Sequence, residues 1–264
     1  MTRLITALGS AVIRFLTYVG EVVVLAGETV TSIVMHKIRW RLFLQQIVEM
    51  GLRSQSVVLI TGAFTGAVFA AQTFFQFNKL GMGSAVGAVV SVSICRELGP
   101  VLTALMVTGR VGASISAEIG TMKVTEQIDA LRALAVHPVD YLVTPRVLAM
   151  IISMPLLVAE CVFVGIAAGY FVAIGLLEVN GPYYMANMVR WTQPRDIVMS
   201  LSKAFMFALL IVFISCHKGL TTREGAVGVG KATTEAVVDA SLAILIFNFF
   251  ATMGLNIIFP AGYQ

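Results

Sequence analysis

Five segments of this chain are too long and too poor in charge to belong to a water-soluble fold. Ser54 to Asn78 runs 25 residues without a charge, and Leu80 to Gly109 runs 30 with only Arg96 and Glu97. Val147 to Leu177 runs 31 with only Glu160, Ile197 to Cys216 runs 20 with only Lys203, and Ala240 to Gln264 runs 25 with none. A helix rises about 1.5 Å per residue, so about 20 residues cross a hydrocarbon core of about 30 Å. Transmembrane strands are excluded, because barrel segments are short and alternate in hydrophobicity. The whole chain is 58% hydrophobic and 12% charged, against about 25% charged in soluble domains. An ordinary soluble enzyme, a disordered chain and a secreted disulfide scaffold are thereby excluded. The predicted class is all-α: a polytopic membrane protein with five transmembrane helices.

The residues before the first span form a different kind of element. Arg3, Ser10, Arg14, Thr17, Glu21 and Glu28 recur at steps of three, four or seven, with Leu4, Leu8, Val12, Phe15 and Val19 on the other side. Two faces at a helical period predict an amphipathic helix lying in the membrane interface, with a tilted first span as the alternative. A basic cluster, His36, Lys37, Arg39 and Arg41, follows it. The expected division is therefore residues 1–45 as interfacial helix and basic linker, and 46–264 as the five-helix domain.

Basic residues orient the spans. With the N-terminus in the cytoplasm, thirteen fall on that side: Arg3, Arg14, Lys37, Arg39, Arg41 and Arg53, then Arg110, Lys123, Arg132 and Arg146, then Lys218, Arg223 and Lys231. Only Lys79, Arg190, Arg195 and Lys203 fall on the other. The bias predicts a cytoplasmic N-terminus and a non-cytoplasmic C-terminus. The balance of 18 Lys+Arg against 14 Asp+Glu needs no nucleic acid to explain it. Cys95, Cys161 and Cys216 stand far apart, and neither they nor the three histidines form a metal-ligand spacing. No metal or cofactor is expected in this chain.

Between the second and third segments lies the longest polar stretch of the middle of the chain, Arg110 to Arg146. Glu118 to Leu134 reads as one continuous helix, with Ile119, Met122, Ile128, Leu131 and Leu134 as its apolar stripe. Such a helix lies on lipid or inserts into a groove on a soluble partner. Further on, Gly225 to Ala232 nearly fits the phosphate-binding pattern GxxxxGK[ST], but position 232 is Ala and no strand precedes it. It reads instead as a flexible turn into the last span, with Thr233 or Thr234 as N-cap. Nothing here hydrolyses ATP.

RELGP at Arg96–Pro100, AEIGTM at Ala117–Met122 and TEQIDAL at Thr125–Leu131 occur in that order within Arg96 to Ala149. This arrangement resembles the MlaE (YrbE) family of permeases, and the likeness extends more weakly over residues 45 to 260. The resemblance implies a homodimeric membrane subunit of an ABC transporter that moves phospholipids between inner and outer membranes and maintains outer-membrane lipid asymmetry. Implied with it are a bacterial inner-membrane location, a separate cytoplasmic ATPase subunit, a periplasmic MCE-domain ring and a STAS-domain protein. It also implies that Glu118 to Leu134 is the helix that docks on the ATPase, with Glu118, Met122, Glu126 and Asp129 as the coupling residues.

With a phospholipid as substrate, the charges inside the spans gain a reading. A charge near the bilayer centre costs at least about 2.5–3.5 kcal/mol on insertion scales. Adjacent residues on a helix point about 100° apart, so Arg96 and Glu97 need partners elsewhere, and Lys203 is available for Glu97. Arg96, Glu97 and Lys203 form either a pocket for a lipid head group or an ion pair that fixes helix packing. Glu160 is read as structural. Gly62/Gly66, Gly83/Gly87 and Gly165/Gly169 allow close helix contact, within the chain or at a dimer seam. Phe69, Phe74, Phe75 and Phe77 anchor a helix end or line an acyl cavity. The competing function is a membrane scaffold that transports nothing and anchors the ATPase and ring subunits.

Overall fold

The computed structural model describes residues 2–35 and 39–259; His36 and Lys37 of the basic cluster, and the C-terminal Gln264, lie outside the described residues. Nine helices account for most of the described residues: α1 (Thr2–Met35), α2 (Trp40–Met50), α3 (Gln55–Lys79), α4 (Val86–Val124), α5 (Gln127–Ala133), α6 (Val139–Gly175), α7 (Gly181–Trp191), α8 (Pro194–Leu220) and α9 (Gly225–Ile258). No strand occurs among the described residues. Five of the helices, α3, α4, α6, α8 and α9, overlap the five expected spans over most of their described residues. Residues Val12–Met35 of α1 are also long and apolar enough to cross a membrane. The protein is an all-α polytopic membrane protein.

Backbone contact, not side-chain bulk, joins α3 to α6. A Cβ on Gly62 would stand 2.9 Å from the carbonyl oxygen of Cys161, and one on Gly66 would overlap the backbone of Gly165. A Cβ on Gly169 would likewise stand 3.3 Å from the Gly66 carbonyl oxygen. These two glycine pairs therefore pack within the chain. Gly87 meets α7 in the same way: a Cβ there would stand 2.7 Å from the carbonyl oxygen of Tyr184. Small residues let helices approach where lipid supplies no hydrophobic driving force between them. The centre is α8, whose Met199, Lys203, Phe207, Ala208, Ile211 and Cys216 are all buried.

Two π turns interrupt α4, at Ile94–Leu98 and Thr108–Gly112. The first stands just before Pro100, where a bend is expected. Proline has no N–H to give to the carbonyl four residues back, which is that of Arg96.

Two expectations about loops are corrected. The helix from Glu118 to Leu134 is not continuous: it stops at Val124 and resumes at Gln127. Glu126 takes a left-handed backbone with φ of 60°, while the Thr125 hydroxyl bonds back to the Thr121 carbonyl at 2.8 Å. The second correction concerns Gly225 to Ala232, which is the first two turns of α9 and not a flexible turn. Thr233 and Thr234 are no N-caps; their hydroxyls bond to the carbonyls of Val229 and Gly230 inside the helix. The reason is packing: Gly228, Ala232, Ala236 and Ala240 form a buried small-residue seam along α9, and the helix extends to keep it closed.

A mixed stripe of α1 meets the protein, while Arg14, Thr17 and Glu28 of its polar side stay exposed. Glu21 reaches His217 at 2.8 Å, Leu25 and Thr29 are buried, and the hydroxyls of Ser32 and Thr144 stand 2.9 Å apart. Val12, Phe15, Leu16, Val23 and Val24 are exposed. His217 ends α8 and Thr144 opens the regular part of α6. Both lie at the end of the bundle that carries α5.

Candidate functional site

At the other end of the bundle, three helices bring polar groups into one cluster. Arg96 and Glu97 sit in the first π turn of α4, Asp196 in the first turn of α8, Lys203 two turns deeper, and Asn248 and Thr252 one turn apart on α9. Asp196 is placed by a capping box: its carboxylate accepts the Gln193 backbone N–H at 2.9 Å, and Gln193 returns a bond to the backbone of Asp196.

The pairing follows from charge and depth. Arg96 donates through Nε to Asp196 Oδ1 at 2.8 Å, and Nη2 lies 2.7 Å from the same oxygen. Lys203 donates to Glu97 Oε1 at 2.7 Å, to Thr252 Oγ1 at 2.8 Å and to the Arg96 carbonyl at 3.0 Å. That carbonyl is the one left free by Pro100. An ammonium has three protons, and these three bonds use them all. Asn248 Nδ2 donates to Glu97 Oε2 at 3.1 Å. The Lys203–Glu97 pairing is the one expected from sequence; the partner of Arg96 is Asp196.

Exposure divides the cluster in two. The side chains of Asp196 and Lys203 are 0% exposed, those of Arg96 and Glu97 25% and 39%. The inner pair of opposite charges fixes the geometry. The outer groups keep capacity: Nη1 of Arg96 makes no hydrogen bond among the described residues, and Glu97 has lone pairs toward the open side. Beside them α9 exposes Leu245, Ile246, Phe249, Phe250 and Met253. The arrangement can present a guanidinium edge to an anion and an apolar wall to hydrocarbon. Sequence reading missed Asp196, Asn248 and Thr252. Only the spacing of Asn248 and Thr252, one turn apart in an otherwise apolar run, could have pointed to them.

The other intramembrane features fall elsewhere. Glu160 is half-buried and has no hydrogen bond or ion pair among the described residues. Phe69, Phe74 and Phe77 pack on the core around Val86, Val90 and Tyr184, while Phe75 is exposed.

The residues expected to couple to the ATPase lie at the α5 end, on more than one face. Glu118 is tied to the buried Arg146 of α6 at 2.8 Å. Met122 is half-buried against the core. Glu126 stands exposed at the bend, and Asp129 pairs with Lys123 at 3.2 Å and Arg132 at 3.1 Å.

The cluster is built from RELGP and the turn from AEIGTM and TEQIDAL, and both fall inside the region that known proteins share with this chain. The family described as Permease MlaE matches residues 43–254. A Rickettsia felis protein named a probable ABC transporter permease protein is 42% identical over 252 residues, 96% of this chain and 97% of that one. A Synechocystis protein of the same description is 43% identical over 226 residues, 86% of each. The Arabidopsis thaliana chloroplastic protein trigalactosyldiacylglycerol 1 is 40% identical over 229 residues, 87% of this chain and 65% of that one. A match that spans every helix from α3 to α9 leaves one assignment: the chain belongs to the MlaE permease family.

Proposed function

We propose that this membrane permease subunit works in an ABC transporter that moves phospholipids between the inner and outer membranes, and so maintains outer-membrane lipid asymmetry. The observation that carries the reading is the pair of partly exposed charges, Arg96 and Glu97, held over a saturated inner pair beside an apolar wall. Arg96 is the residue offered to the lipid phosphate, Glu97 shapes the pocket, and Lys203 positions both from behind. The name of the Arabidopsis relative, which is that of a glycolipid, supports a lipid cargo. The cluster end faces the periplasm and the α5 end the cytoplasm, as the basic-residue bias supports. In that orientation α1 lies along the cytoplasmic interface: from Tyr18 to Ser32, about 21 Å of helix, its contacts stay at one end of the bundle.

In the same reading the exposed tip around Glu126 and Asp129 docks on a separate ATPase subunit, since this chain holds no phosphate loop. A second copy covers the α9 face, where Glu97 would otherwise meet lipid. The MCE-domain ring and the STAS-domain protein complete the assembly.

The test is transfer of phospholipid between vesicles by the reconstituted complex. Arg96→Ala/Asp196→Asn removes the outer cation without leaving a buried charge. Normal assembly with transfer reduced about tenfold or more supports the head-group role, on the worth of a charge-assisted contact. Normal transfer would make the cluster structural. A complex whose other subunits transfer lipid without this chain would make it a scaffold.

A further inference from the structure

The second π turn of α4 carries Arg110, which the head-group cluster does not use. Arg110 lies 24 residues beyond Val86, about 36 Å of helix. That is roughly one hydrocarbon thickness from the far end of α4, so Arg110 sits at the interface on the α5 side. Its Nη1 donates to the Ser54 hydroxyl at 2.6 Å, directly before α3 begins. Arg110 makes no ion pair among the described residues.

A cavity of about 210 Å³ opens beside it, lined among others by Gln46, Glu49, Arg110, Ser114 and Glu118. Both carboxylates there already hold a cation. Glu49 pairs with Arg53 at 2.7 Å and Glu118 with Arg146 at 2.8 Å. The charge left uncompensated in the cavity is the Arg110 guanidinium, flanked by the neutral hydrogen-bonding groups of Gln46 and Ser114. Gln46, Glu49, Ser114 and Glu118 also line an adjoining groove of about 770 Å³, whose rim adds Leu44 and Val48 of α2. Leu44 and Val48 are 57% and 46% exposed.

We infer that this cavity is a second phosphate-binding site, taking the head group of an anionic phospholipid from the leaflet at the α5 end. Arg110 binds the phosphodiester, Gln46 and Ser114 donate to its oxygens, and the acyl chains run past Leu44 and Val48. A guanidinium without an ion pair, in a cavity between helices at the cytoplasmic interface, suits a phosphodiester. The site rests on the reading of the chain as a membrane permease and not on the Arg96 assignment.

The experiment uses the full chain in its complex, placed in phosphatidylcholine nanodiscs with phosphatidylglycerol as minor component. Phosphatidylglycerol that stays bound after detergent washing is counted by mass spectrometry. Arg110→Gln should lower it about tenfold or more, with Arg110→Lys intermediate. Ser114→Asp, at an exposed position that should not disturb folding, should lower it equally by neutralising Arg110. Retention at the normal level in Ser114→Asp and in folded Arg110→Gln would overturn the site. Millimolar inorganic phosphate should not displace the lipid, since the chains also hold it; displacement would assign the cavity to free phosphate and overturn the lipid assignment. Arg96→Ala/Asp196→Asn should retain phosphatidylglycerol normally, so this site and the transport reading fail separately.

Discussion

Asp196 is the residue on which the cluster's tolerance to mutation turns. Its side chain is fully buried, and Arg96 is its near cation. Arg96→Ala alone should leave that carboxylate with only the more distant Arg195, at 3.7 Å, and cost up to about 3–5 kcal/mol, the penalty for breaking a buried pair. Reduced yield or thermal stability of the single variant, recovered by adding Asp196→Asn, checks this; recovery by adding Glu97→Ala instead would contradict the pairing. Lys203→Met should be as severe as Arg96→Ala, because it releases Glu97, Thr252 and the Arg96 carbonyl together. Part of this was legible in the sequence. Two opposite charges in spans must find each other, and Glu97 found Lys203. Asp196 was hidden because Pro194-Arg-Asp reads as a loop, and its burial depends on a helix start that sequence does not mark. Asn248 and Thr252 were hidden because uncharged polar groups in an apolar run carry no signal of which face is buried.

Elements were legible where periodicity and charge agreed, and not where backbone conformation decided. The five spans follow from length, yet α4 overruns its apolar segment by fifteen residues to Val124. The amphipathic period runs straight through Thr125 and Glu126, so the bend there could not be read from it. At a φ of 60° a Cβ is unfavourable by about 1–2 kcal/mol. Glu126→Gly should therefore keep or raise thermal stability, while Glu126→Val should lower it. Charge is a separate matter at this tip. Glu126→Lys with Asp129→Lys should weaken co-purification of the ATPase and leave membrane insertion normal; unchanged co-purification and transport would place the turn on lipid instead. The glycine contacts make a third case. Gly66→Ala puts a methyl into the backbone of Gly165 and should cost about 1–3 kcal/mol as overpacking, measurable as a lowered Tm in detergent.

For the whole molecule, orientation is the first thing to measure. A reporter fused after Gln264 should be active on the periplasmic side only, and activity in the cytoplasm would reverse the assignment. The composition made the membrane class plain, but it could not place α1, whose length and hydropathy suit a span while Leu25, Thr29 and Ser32 are buried against one end of the bundle. The contact between α3 and α6 bears on motion. Helices that touch through side chains can slide by changing rotamers, but α3 and α6 meet peptide against peptide at Gly62, Gly66 and Gly165, and nothing between them can yield. The two helices must travel as one rigid girder. Spin labels at the exposed positions Phe64 and Phe163 should then keep the same separation with and without nucleotide, and any opening of the bundle must occur where α4 and α9 meet the rest.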